Sequence, residues 1–159
     1  MTEVILDTNY VVALLDAKDV WHAKAATIQD KLVETEAAVV YLDCVMDEVI
    51  SVLARRYAER GRAHEFSGVL NKIETLVPPE RITWIYPIVK QLYAKVLSLV
   101  RKSRGELNFH DALIVAASDE MGIAVIVSFD ADFDKTNMTR IRSVESIARP
   151  PALTRSRNP

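Results

Sequence analysis

Three short apolar runs constrain the fold most: Val4-Ile5-Leu6, Ala37 to Leu42 and Ile123 to Val127, all rich in β-branched residues and without polar alternation. A strand that does not alternate is buried on both faces, as in a parallel sheet covered by helices. The segments between the runs are long enough for helices, and parallel neighbours require such crossovers. The sequence therefore predicts an α/β domain, a three-layer α/β/α sandwich with a central parallel sheet. At 159 residues, 50% of them hydrophobic, the chain suits one such domain.

Helical signals fill the gaps. Tyr10 to Leu15 continues with helical apolar spacing, and a second helix is expected over Trp21 to Glu34. Asp43 suits the N-cap of a helix from Cys44 to Arg60, whose Val45, Val49, Val52 and Leu53 share one face, with Gly61 just past its end. Further helices are expected over His64 to Leu76, Ile88 to Lys102 and Phe109 to Met121, with a third strand over Arg81 to Tyr86 after the Pro78-Pro79 break. The expected domain covers residues 1–148. From Arg149 onward three Arg, no acid and no periodicity predict a flexible basic tail over 149–159.

Composition excludes some functions. With 20 Lys and Arg against 22 Asp and Glu, a net charge of −2 provides no global field for nucleic acid, so any such contact is local. Arg55, Arg56, Arg60 and Arg62, with Lys135 and Arg140, are the candidate phosphate contacts, and Arg155 and Arg157 lie in the tail. The lone Cys44 cannot form an intrachain disulfide, which fits a reducing cytoplasm. Apolar runs such as Val11 to Leu15 fall far short of the roughly 20 residues a membrane span needs, and Glu3 and Asp7 interrupt any signal-peptide core, so the chain is expected to start at Met1 and stay inside the cell.

In an open parallel sheet, ligands bind beyond the carboxyl ends of the strands. Asp7 follows the first strand, and Asp130 and Asp132 follow the last. Asp7 alone reads equally well as a helix cap, and Asp111 as the third residue of a helix capped by Asn108. Glu48 lies at the edge of its helix's apolar stripe, with Val45 and Val52 on either side, whereas Asp47 faces away. A carboxylate beside the core needs a basic partner or a metal ion. The acids at 130, 132 and 134 lack the Gly and distal Glu of an EF-hand, which leaves a turn as the plain reading. Taken together, Asp7, Glu48, Asp111 and Asp130 are the oxygen donors that Mg²⁺ or Mn²⁺ prefers.

The order of these motifs resembles a PIN domain, and most of all the VapC-type toxins: Val4-Ile5-Leu6-Asp7-Thr8-Asn9, then Glu48 with Val49 and Leu53, then Asp111-Ala112-Leu113-Ile114-Val115-Ala116-Ala117, then Val125 to Phe133. The resemblance implies a Mg²⁺- or Mn²⁺-dependent endoribonuclease, the toxin of a type II toxin–antitoxin pair. It assigns Asp7, Glu48, Asp111 and Asp130 to the catalytic and metal-binding acids, Asp132 to an additional metal-side acid, and Thr8, Asn9 and Ser128 to supporting positions. It also implies one or two ions, an RNA substrate, a homodimer and an antitoxin. The alternatives are a PIN nuclease of RNA processing or decay and a non-catalytic PIN-like binding module. A haloacid-dehalogenase-like phosphotransferase is disfavoured, because it wants Asp where the chain has Asn9.

Overall fold

The computed structural model describes residues 2–147, so the tail expected over 149–159 lies outside the described residues. Five strands form one parallel sheet: β1 (Glu3–Leu6), β2 (Ala38–Leu42), β3 (Ile82–Thr83), β4 (Val125–Val127) and β5 (Thr139–Ile141), in the order β3-β2-β1-β4-β5. The helices are α1 (Thr8–Leu15), α2 (His22–Glu34), α3 (Asp43–Glu59), α4 (Phe66–Leu76), α5 (Val89–Lys102), α6 (Phe109–Met121) and α7 (Val144–Ile147). The architecture is the predicted three-layer α/β/α sandwich. Val4, Ile5, Leu6, Ile126 and Val127 are almost wholly buried, as strands without polar alternation require.

The strand order sets where a ligand goes. From β1 the chain builds outward through β2 to β3, then returns across the sheet to β4 and builds outward the other way to β5. The carboxyl ends of β1 and β4 thus flank the point where the winding reverses, the usual crevice of an open α/β sheet. Pairing there runs past the strands themselves, since the Asp7 amide donates to the Val127 carbonyl at 3.0 Å.

Several elements differ from expectation. The third strand is only Ile82–Thr83: the Tyr86 amide goes to the Asp43 side chain and not to a strand neighbour, and the chain turns into a 3₁₀ segment at Tyr86–Ile88. Helix α3 starts at Asp43 itself, yet the buried Asp43 side chain still works locally: Oδ1 accepts from the Cys44 amide and Oδ2 from the Tyr86 amide, both at 2.8 Å. The helix expected from His64 divides into a 3₁₀ turn at Ala63–Glu65 and α4. Strand β5, which sequence patterning does not pick out, closes the sheet edge.

Glycine acts where the backbone demands it. Gly61 sits at φ 68° beyond α3, its amide bonding Ala58 and the Arg62 amide bonding Tyr57 in the double closure of a left-handed helix end. Past α3 the expected phosphate contacts are already occupied. Arg56 and Arg60 converge on Asp16, which is 3% exposed, and Arg56 also meets Asp19 at 2.6 Å. Burial opposes ionisation of Asp16, but bonds from Arg60, the Lys18 amide and Arg56 outweigh it and hold the carboxyl at about 2. This network fastens the α1–α2 connection to the end of α3. Arg62 pairs with Glu65, Arg140 with Asp134, and Lys135 with Asp132 and Glu106. Of the six cations, only Arg55 has no ion pair among the described residues. No described helix is long and apolar enough to cross a membrane.

Candidate active site

Asp7 caps α1 from the end of β1 and is 4% exposed. Its Oδ1 accepts from the Thr8 amide at 2.7 Å, so the capping role is real, although it serves the first helical amide only. Oδ2 accepts from the Ser128 hydroxyl at 2.6 Å, across from the end of β4. Ser128 is fully buried and in turn accepts from Asn9 Nδ2 at 3.2 Å and from the Asp130 amide at 2.9 Å. Asn9 Oδ1 accepts from the Phe129 amide at 3.0 Å. Thr8, Asn9 and Ser128 therefore fasten the ends of β1 and β4 to each other and fix the direction of Asp7.

Asp111 stands in the first turn of α6, where Asn108 Oδ1 accepts from its amide at 2.9 Å. From Ala112 to Ser118 the helix is entirely buried, which draws Asp111 inward. Glu48 is half-buried on α3, as its place beside the apolar stripe predicts, and its Oε2 accepts from Thr8 Oγ1 at 2.8 Å. Asp47 lies on the surface and accepts from the Tyr86 hydroxyl at 3.0 Å. Asp130 caps the 3₁₀ turn Ala131–Lys135, its Oδ1 accepting from the Asp132 amide at 2.8 Å. Asp132 is turned to Lys135 at 2.9 Å. Phe133 is fully buried and anchors this turn in the core, which explains why the acids on either side point outward.

The quartet shares one field. Burial, countered in part by the Ser128 hydrogen bond and reinforced by Asp111, raises the Asp7 carboxyl to about 7. Burial, then Asp130, raise Asp111 to about 6, with Glu48 adding to the effect and nearby His110 opposing it. Desolvation is the larger cause for both, and repulsion between neighbouring carboxylates adds to it. Among the described residues no Lys or Arg pairs with any of the four, in contrast to Asp16. Nor is any group of three His, Cys, Asp or Glu drawn tightly enough together to hold a metal ion as it stands. The donor chemistry nonetheless fits a hard divalent cation, since these are buried or half-buried oxygen donors that no Lys or Arg pairs with among the described residues.

Sequence reasoning missed His110. Its Nε2 donates to the Cys44 carbonyl at 3.0 Å, and its Nδ1 lies 3.1 Å from Glu48 Oε2, so it ties α6 to α3 and braces Glu48 opposite Thr8. The only local signal was its place directly before Asp111.

An acid cluster at the reversal point of a parallel sheet is a constellation suited to phosphodiester chemistry. The family model of the PIN domain matches residues 4–137, and the chain belongs to that family. Its fold is shared with VapC20 of Mycobacterium tuberculosis, a toxin that cleaves the sarcin–ricin loop, at 22% identity and a TM-score of 0.61 over 83% of this chain and 93% of that one. It is shared also with a chain of VapBC2 from Rickettsia felis, solved bound to a DNA fragment from the promoter, at 12% identity and a TM-score of 0.63 over 88% and 98%. A search of curated proteins returns no match.

Proposed function

We propose that the chain is a Mg²⁺- or Mn²⁺-dependent endoribonuclease, acting in the cytoplasm as the toxin of a toxin–antitoxin pair and assembling as a homodimer. The observation that carries the nuclease reading is a buried Asp7 at the reversal point, raised to about 7 by burial with Asp111 near enough to add to the effect, and with no Lys or Arg partner among the described residues. The VapC and VapBC names of the fold's neighbours support the toxin, antitoxin and RNA parts of the proposal.

Asp7, Asp111 and Asp130 would hold the cation, and Glu48 would hold a second ion or orient water. When bound, such an ion supplies Lewis acidity and neutralises charge at the phosphate. Ser128 and the Thr8 amide fix the Asp7 oxygens, Thr8 Oγ1 fixes Glu48, and Asn9 holds the Phe129 backbone. Asp132, paired with Lys135, stands as an outer acid of the same turn.

Purified protein is expected to cut single-stranded or structured RNA with Mg²⁺ or Mn²⁺ and to stop in EDTA; equal cleavage in EDTA rejects the proposal. If expression alone leaves growth normal while the enzyme is active, the toxin part fails and the nuclease part stands.

His110 acts in this scheme as a positioning residue for Glu48. An Asn side chain places its amide nitrogen near the position of Nδ1, whereas Gln reaches towards that of Nε2. We expect His110→Gln to lower kcat about tenfold or more, because misplacement of a reacting group by about 1 Å costs up to a hundredfold. His110→Asn should retain most of kcat despite losing the Cys44 bond. The reverse order would make His110 a helix tie and nothing more.

A further inference from the structure

With Arg56, Arg60, Arg62, Lys135 and Arg140 spent on internal ion pairs, only Arg55 of the six candidate cations is left unpaired among the described residues, and the face around the acids has room for another source of affinity for a polyanion. Beside them is an aromatic ledge. Trp21 stacks on Phe129, with centroids 5.2 Å apart and planes 20° apart, and Tyr10 supports Phe129 from the core at 6.0 Å. Lys24 Nζ lies 5.1 Å from the Trp21 ring centre and 5.7 Å from that of Phe129, with no ion pair among the described residues. Trp21 remains 45% exposed.

The ledge is joined to the acid cluster through the chain. Phe129 lies between Ser128, which bonds Asp7, and Asp130, and its amide is held by Asn9 Oδ1. Whatever stacks on Trp21, with Phe129 beneath it, is therefore held near the carboxylates by a hydrogen-bonded segment. An exposed aromatic face with an adjoining ammonium is how proteins grip an unpaired base and its phosphate: stacking tolerates any base, and the cation takes the backbone.

We propose that Trp21, Phe129 and Lys24 form a subsite for one nucleobase and its phosphate in single-stranded RNA, immediately next to the cut site. This rests on the nuclease reading and deepens it, by placing substrate affinity in stacking rather than in a basic patch.

Trp21 reports on itself once Trp84, the other tryptophan, is replaced by Phe. The Trp84→Phe protein, with Ca²⁺ in place of Mg²⁺, is titrated with an oligoadenylate hexamer and with an abasic hexamer of the same charge, while anisotropy of a labelled hexamer measures binding independently. Quenching of Trp21 by the oligoadenylate and not by the abasic hexamer is expected. Trp21→Leu, which keeps apolar packing without an aromatic face, should weaken hexamer binding about tenfold, in line with alanine-scan values for a stacked base. Trp21→Phe should bind within about threefold of the parent, and Lys24→Gln should reduce the salt slope by about one. Absence of binding, binding without quenching, equal quenching by both hexamers, or unimpaired Trp21→Leu binding each overturns the subsite. Cleavage of RNA by the wild-type protein with Mn²⁺ is scored separately, so loss of the ledge and loss of the nuclease reading are told apart.

Discussion

Asp7→Asn is expected to lose RNA cleavage by about a hundredfold to a thousandfold, the scale on which removing one preorganised electrostatic group acts, and to gain stability at pH 8. The two effects belong together. Asn keeps the shape and an oxygen for the Thr8 amide or the Ser128 hydroxyl, though not for both, which costs about 1 kcal/mol. Against that, it removes a charge from a site almost closed to water. A helix cap alone gives a different result: Asn caps about as well as Asp, so stability at pH 8 and any chemistry would both stay as they were. Equilibrium unfolding and RNA cleavage measured on one preparation decide between the two roles, and a variant unchanged in stability at pH 8 and fully active would return Asp7 to capping alone.

The metal-free wild-type protein should be less stable at pH 8 than at pH 5. An Asp with a pKa of about 7 in the fold and near 3.9 in the unfolded chain keeps, over the window between, a proton that the unfolded chain has lost. Stability then falls as pH rises through that window and levels off above it. At about 1.4 kcal/mol per unit, Asp7 alone accounts for about 3 kcal/mol between pH 5 and pH 8, and Asp111, raised to about 6, acts in the same direction. Asp16 has the opposite sign, but its folded value of about 2 confines its contribution to acid below about pH 4. Urea midpoints at the two pH values, for wild type and Asp7→Asn, isolate the Asp7 contribution from histidine titration. Saturating Mn²⁺ should flatten the slope, since the bound form is the ionised one. A wild type whose midpoint does not fall relative to Asp7→Asn would show that Asp7 is not desolvated in solution.

What the sequence makes legible follows from which forces are local. β1, β4 and α6 could be read because burial on all sides leaves runs such as Ile123 to Val127 and Ala112 to Ala117 with no polar residue. β5 could not, since an edge strand of Thr139, Arg140 and Ile141 buries only its last member deeply. The four acids were singled out by their order along the chain, and the fold sets them in one electrostatic neighbourhood. His110 was not found, because its meaning lies in Cys44 and Glu48 on another helix. The arginines of α3 misled for the same reason: nothing near Arg56 or Arg60 in sequence announces Asp16 and Asp19 as their partners.

The bond from Ser128 to Asp7 joins residues 121 positions apart. Because β1 lies at the middle of the sheet and β4 is one of the last strands to be made, the amino-terminal acid must wait for most of the chain before its partners exist. Synthesis runs from the amino terminus, and contacts so distant in sequence form late. A chain of this topology thus carries an incomplete acid cluster until β4 and Ser128 have been made, so its four acids come together only once most of the domain exists.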